Sequence, residues 1–88
     1  MKQWLVYLLK CYDNTIYTGI TNDIDKRIAA HNNKKGAKYT KSRTPVILIH
    51  TINCNSKSDA LKLEYKIKQL PRDEKLKLVP IPETISES

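Results

Sequence analysis

The chain has 88 residues, enough for one compact domain around one modest core and too few for two. Apolar residues make up 40% and charged residues 28%, which excludes an intrinsically disordered chain and fits a soluble globular one. Sixteen Lys and Arg against nine Asp and Glu leave a formal charge of +7, a balance that favours a polyanionic partner.

In chain order, residues 3–10 (QWLVYLLK) and 15–20 (TIYTGI) read as two strands, with Asp13 and Asn14 as the turn signal of a hairpin. Thr21, Asn22 and Asp23 offer side-chain oxygens for a helix N-cap. Ile24, Ile28 and Ala29 then fit one face of a helix running to about Asn32. A loop rich in Lys and Gly follows. Pro45 opens a third strand over 46–51, since proline is tolerated at a strand's first position. Ser56 or Ser58 caps a strong helix over 59–70, which Pro71 ends. Residues 72–79 suit a short amphipathic helix, and Pro80 and Pro82 stop regular structure. That leaves a single domain over 1–82 and a frayed tail at 83–88. The order ββαβαα implies an α+β domain with a small sheet covered by helices.

The apolar runs at 4–9 and 46–49 are too short to span a bilayer, and no signal-peptide pattern opens the sequence. Cys11 and Cys54 stand apart from any CxxC pair or Cys/His cluster, so they read as buried thiols in a reducing compartment. The expected location is cytoplasmic, with no membrane partner.

Several residues break the amphipathic pattern. From Lys26 to Arg43 there are seven basic residues and no acid: Lys26, Arg27, Lys34, Lys35, Lys38, Lys41 and Arg43. With Gly36 and Tyr39 interleaved, this is either a solvated loop or a basic loop that tracks a phosphate backbone. Glu64 has Ala60, Leu61 and Ile67 as helical neighbours, which puts a carboxylate on the stripe that should face the core. Either a cation or hydrogen-bond donors meet it there, or it pairs with Lys68 at i+4 on a rotated stripe. Arg27 and His31 share an edge with Ile24 and Ile28. They suit a phosphate contact and a proton relay, or equally a snorkelling arginine and a hydrogen-bonded boundary histidine. Tyr7 and Tyr17 sit one on each hairpin strand. Gly19 follows inside the second, where glycine often marks the close approach of another group.

Together, LVY at 5–7, YTG at 17–19, Arg27 with His31, and Glu64 in a late helix resemble the GIY-YIG nuclease signature in order and spacing. IYTGITND, the R-x-x-x-H-N of 27–32, GAKYTK at 36–41 and LEYKIKQL at 63–70 are similar to the small single-domain UPF0213 group. Two departures stand out. Leu5 and Val6 replace the glycine and isoleucine of the first motif, and Thr18 replaces the middle isoleucine of the second.

The resemblance implies a three-stranded antiparallel sheet flanked by helices and a metal-dependent endonuclease acting on DNA, with RNA open. Branched, flapped or single-stranded forms are candidate substrates. It also implies one divalent ion, Mg²⁺ or Mn²⁺, held by Glu64, and Arg27 clamping the scissile phosphate. Tyr17 would accept a proton, Tyr7 would position it, and His31 would relay. Lys34, Lys35, Lys38, Tyr39, Lys41 and Arg43 would meet the nucleic acid, and the protein would act as a monomer. A binding module with the same fold and no hydrolysis is the competing class.

A shared site for both tyrosines constrains the hairpin. A two-residue turn at Asp13 and Asn14 would pair residues whose numbers sum to 27 and put the tyrosines on opposite faces. An even sum, from an odd-length loop or a bulge, is therefore the expected register, with both rings on the face that presents Arg27.

Overall fold

The computed structural model describes residues 3–78; the expected tail at 83–88 and the end of the expected domain at 82 lie outside them. Strands β1 (Leu5–Lys10), β2 (Ile16–Thr21) and β3 (Ile47–Asn53) form an antiparallel sheet in the order β2-β1-β3. Helix α1 (Ile24–Asn32) follows the hairpin, and α3 (Lys57–Lys68) and α4 (Arg72–Leu76) follow β3. The ββαβαα order holds, with one addition. A single helical turn, α2 (Lys38–Lys41), lies within the basic segment expected to be loop throughout.

The central strand explains its own composition. Val6, Tyr7, Leu8 and Leu9 have no exposed surface, so the run is apolar throughout because both its faces are covered. Val6 and Leu8 pack with Ile16, Cys54, Ala60 and Ile67 beneath α3. Tyr7 and Leu9 pack with Cys11, Val46, Ile24 and Ile28 beneath α1. Burying a side chain such as Leu8 or Leu9 stabilises by about 1.5–3 kcal/mol, so β1 anchors both layers. Both cysteines are buried free thiols. Among the described residues no helix is long and apolar enough to cross a membrane.

The hairpin takes the even register. Leu5 pairs with Thr21 and Tyr7 with Gly19, so paired numbers sum to 26. Cys11 N–H bonds to the Thr15 carbonyl (2.9 Å) and closes a three-residue turn around Tyr12, Asp13 and Asn14. Asn14 takes a left-handed φ of 69°, which its side chain tolerates better than most.

Local chemistry sets the ends of α1. The Asp23 carboxylate accepts from the Lys26 N–H (3.3 Å) as N-cap. At the other end the Lys34 N–H reaches the His31 carbonyl and the Lys35 N–H the Ala30 carbonyl, a Schellman closure with Lys34 at φ 63° where glycine is usual. That turn brings Gly36 back against the His31 ring. Ala29, expected on the packed face, is exposed; Ile24, Arg27, Ile28 and His31 make that face instead. The third strand starts one residue later than expected because the Asn32 side chain pairs with Val46. Asn32 Oδ1 accepts its N–H (2.7 Å) and Nδ2 donates to its carbonyl (3.4 Å). Ser56, rather than Ser58, caps α3 by accepting from Asp59 N–H (3.1 Å). The last helix ends at Leu76, short of the expected 79.

Thr18 stands where the GIY-YIG pattern has an isoleucine. It is 2% exposed, and its hydroxyl has no hydrogen-bond partner among the described residues. A buried unsatisfied hydroxyl costs about 1–3 kcal/mol, and valine has nearly the same shape and suits a strand. Thr18→Val should therefore stabilise the fold by about 1 kcal/mol, seen as a melting temperature higher by roughly 4–8 °C. A lower melting temperature would mean that the hydroxyl is satisfied in solution.

Candidate active site

Because the hairpin register is even, Tyr7 and Tyr17 share the sheet face that α1 covers. Their ring centroids lie 6.2 Å apart. Gly19 sits opposite Tyr7, and a Cβ built there would lie 2.5 Å from the Tyr7 hydroxyl oxygen. The glycine flagged in the sequence thus makes room for the phenol, which crosses over it towards α1.

Helix α1 meets the phenol with two side chains one turn apart. Arg27 Nε donates to the Tyr7 hydroxyl at 3.2 Å, and that hydroxyl lies 2.9 Å from His31 Nε2. His31 Nδ1 lies 2.7 Å from the Thr40 hydroxyl, which donates to the Ala37 carbonyl at 3.0 Å. Tyr7, His31 and Thr40 have no exposed surface, while Arg27 is half-buried. Tyr17, also half-buried, packs edge-on to His31 with centroids 5.2 Å apart. One buried line of polar groups therefore runs from the surface at Arg27 to the basic segment at Thr40.

The electrostatics follow from that burial. Desolvation pushes the Tyr7 phenol up to about 12 against the opposing bond from Arg27, so Tyr7 keeps its proton at neutral pH. His31 is held below its usual value, first by desolvation and then by the Arg27 charge, so it rests neutral. Arg27 is raised, chiefly by its bond to Tyr7, and stays charged.

Glu64 approaches from α3, on the other side of the sheet. Its side chain is 17% exposed and pairs with Lys68 Nζ at 3.3 Å. The carboxylate is largely buried, and its near cation is Lys68 at i+4, the second of the two sequence readings. Glu64 is the weakest of the named influences on the Tyr7 proton. Lys68 joins Ile16, Tyr17, Thr18, Tyr39 and Lys75 in lining a groove, which links Glu64's neighbourhood to Tyr17.

The basic segment divides in two. Lys34, Lys35, Lys38 and Lys41 are exposed. Arg43 is engaged within the fold: it bonds Asp13 Oδ2 at 2.8 Å, donates to the Tyr39 carbonyl, and stacks 4.1 Å from the centre of the Tyr39 ring. Tyr39 in turn lies 5.9 Å from Tyr17, centroid to centroid. Thr40 and Gly36 are the site residues that sequence reasoning missed. In the sequence the segment GAKYTK stands out for its charge and as a match to the UPF0213 group, with no role for its threonine or glycine. Nothing in its threonine or glycine betrays contact with His31, which lies nine residues before Thr40 and five before Gly36.

The GIY-YIG catalytic domain matches residues 3–77, and the chain belongs to that family, a nuclease superfamily. Within it the chain is similar to UPF0213 proteins. It is 49% identical to one from Staphylococcus haemolyticus over 79 residues, covering 90% of this chain and 96% of the relative. It is 54% identical to one from Halobacterium salinarum over 70 residues, covering 80% and 91%. The solution structure of the UPF0213 protein of Bacillus halodurans is similar at 45% identity and TM-score 0.54, over 89% of this chain and 82% of that one. A solved protein of E. faecalis gives 34% identity and TM-score 0.60, over 100% and 91%.

The lowered His31 value has a consequence for stability. Below pH about 6.5 the unfolded chain takes up a proton that folded His31 refuses. The stability due to neutral His31 is thus complete above that pH and declines as pH falls through the window beneath it. Urea midpoints should drop from pH 7.5 to 5.5 in the wild type and drop less in His31→Gln. A flat wild-type profile would show that protonation of His31 costs the fold nothing.

Proposed function

We propose that this chain is a divalent-metal-dependent endonuclease that hydrolyses DNA phosphodiester bonds and acts as a monomer. One observation carries the reading: an arginine fixed through Nε by a buried Tyr7–His31 pair on the sheet face that α1 covers. Holding a guanidinium this way leaves its Nη groups for a bidentate contact to phosphate.

Exposure divides the work between the tyrosines. Tyr7 is enclosed and firmly protonated, so it positions Arg27. Tyr17 is half-buried and lines the groove, so it is the tyrosine placed to meet the attacking water; it would accept that water's proton as the phenolate, its own proton having left to solvent. The neighbouring Arg27 guanidinium offsets negative charge on the phosphate as the bond breaks. Lys35, Lys38 and Lys41, on the exposed face of the basic segment, hold the flanking backbone.

The donor chemistry decides how a metal fits. No group of three or more His, Cys, Asp or Glu side chains able to hold a metal occurs among the described residues. Glu64 offers a hard carboxylate oxygen, which fits Mg²⁺ or Mn²⁺ with water completing the shell and does not fit a closed zinc site. A cation bound there supplies Lewis-acid stabilisation of charge on the phosphate oxygens. Lys68 must release the carboxylate for that, and its side chain is 51% exposed and free to move. The Glu64–Lys68 pair is also the observation that favours a binding module without hydrolysis, since an ion pair by itself explains the carboxylate.

Two variants separate these readings. Glu64→Gln should reduce cleavage by about 10²–10³-fold or more while binding to uncleaved DNA in EDTA persists. Arg27→Ala should lose a similar factor in cleavage and also weaken that binding by about tenfold or more, since it removes charge-assisted hydrogen bonds. Full activity of Glu64→Gln with Mg²⁺, or wild-type cleavage undiminished in EDTA, would defeat the metal mechanism. Assays on branched, flapped, single-stranded and duplex DNA, with RNA alongside, identify the substrate.

Salt tests the basic segment separately. Replacing Lys35, Lys38 and Lys41 with glutamine should lower the slope of log affinity against log salt by about 2.7 on duplex DNA, at 0.9 per phosphate contact. An unchanged slope would reduce these lysines to a solvated surface.

A further inference from the structure

We propose that Thr40 is a positioning residue that fixes the tautomer of His31, and through His31 and Tyr7 sets the Arg27 guanidinium. The inference rests on reading Arg27 as the phosphate clamp, but the tautomer itself does not depend on that reading.

Tyr7, His31 and Thr40 have no exposed surface, so the hydrogens along this line must find their acceptors within the protein. The Thr40 hydroxyl has one proton, and it goes to the Ala37 carbonyl 3.0 Å away. At 2.7 Å from His31 Nδ1 the same oxygen can then only accept, so Nδ1 carries the imidazole hydrogen. A neutral imidazole has one N–H, and Nε2 is left as an acceptor for the Tyr7 hydroxyl at 2.9 Å. The Tyr7 oxygen, its proton directed to His31, presents its lone pairs to Arg27 Nε–H, which can only donate. Every proton then has a place, and the chain runs in one direction from arginine to carbonyl.

The opposite tautomer fails at Tyr7. With the hydrogen on Nε2, the histidine and Arg27 would both donate to the Tyr7 oxygen, and the phenol proton would be buried without an acceptor. Tyr7 has no exposed surface, so water cannot repair the loss. Orphaning a buried donor is worth about a tenfold or greater preference for the first arrangement. Gly36 closes the remaining freedom. A Cβ at that position would lie 2.5 Å from His31 Nδ1, so the backbone of the segment lies directly against the ring. The motif segment that follows α1 thus acts as a clasp on the histidine, in addition to carrying lysines.

The test reads the tautomer directly. The protein has two histidines, so long-range ¹H–¹⁵N correlation resolves each ring. In the wild type at pH 7.5, His31 should show a protonated-type Nδ1 and an unprotonated-type Nε2. Thr40→Val removes the acceptor and should shift His31 to a mixture or to the Nε2–H form, and Thr40→Ser should restore the wild-type pattern. In EDTA, Thr40→Val should weaken DNA binding about three- to tenfold, with no further loss when added to Arg27→Ala, as expected for residues that act as one unit. A merely structural threonine would change the melting temperature and leave the ring nitrogens as they are.

An Nε2–H tautomer in the wild type overturns the proposal without any variant having to fold. An unchanged tautomer in folded Thr40→Val overturns it as well. Failure of the wild type to cleave any substrate would count against the nuclease reading alone and leave the tautomer result standing.

Discussion

The Tyr7 hydroxyl lies where no water reaches it, and a buried hydroxyl must find its partners in the protein. That requirement organises the α1 face of the molecule. Gly19 must lack a side chain for the phenol to cross the neighbouring strand. Arg27 and His31 must lie one helical turn apart, so that one donates to the oxygen while the other receives its proton. Thr40 must approach from the segment after α1 to satisfy the far side of the imidazole. These residues come from three further elements, so the network around the hydroxyl joins β1, β2, α1 and α2.

The two faces of the sheet serve different ends. Beneath α3, Val6, Leu8, Ile16, Ala60 and Ile67 make an ordinary apolar core. Beneath α1 the core is interrupted by tyrosine, histidine and arginine in mutual contact. A sheet of three strands tolerates this because the α3 face supplies most of the apolar burial, leaving the other face to hold polar groups in fixed geometry. Glu64 connects the faces. It rises from the α3 side, largely buried, and its partner Lys68 lines a groove with Tyr17 and Tyr39.

The basic segment is held more tightly than its composition suggests. Arg43 ties it to the hairpin turn through Asp13, and Arg72 ties α4 to the same turn through the Asn14 carbonyl at 2.7 Å. The Arg43–Tyr39–Tyr17 stack carries this bracing to the mouth of the site. Lys34, Lys35, Lys38 and Lys41 project from this braced frame.

The amino-acid sequence by itself determined the family and every element except the single turn α2. Apolar runs, the Asp13-Asn14 turn, the caps at Asp23 and Ser56 and the stop at Pro71 are local signals, and local backbone chemistry reads them without help. The spaced residues Tyr7, Tyr17, Arg27, His31 and Glu64 were legible because each violates the pattern of its own element. Only the tertiary structure decided which of them touch. Nothing local distinguishes Tyr7, sealed and bonded twice, from Tyr17, open at the groove, because that difference lies in which strand is central. Nothing local marks Arg43 as a brace and Lys38 as exposed, since Asp13 lies thirty residues away. The roles of Thr40 and Gly36 were hidden for the same reason: a hydroxyl and a missing side chain acquire meaning only when the chain folds them against an imidazole.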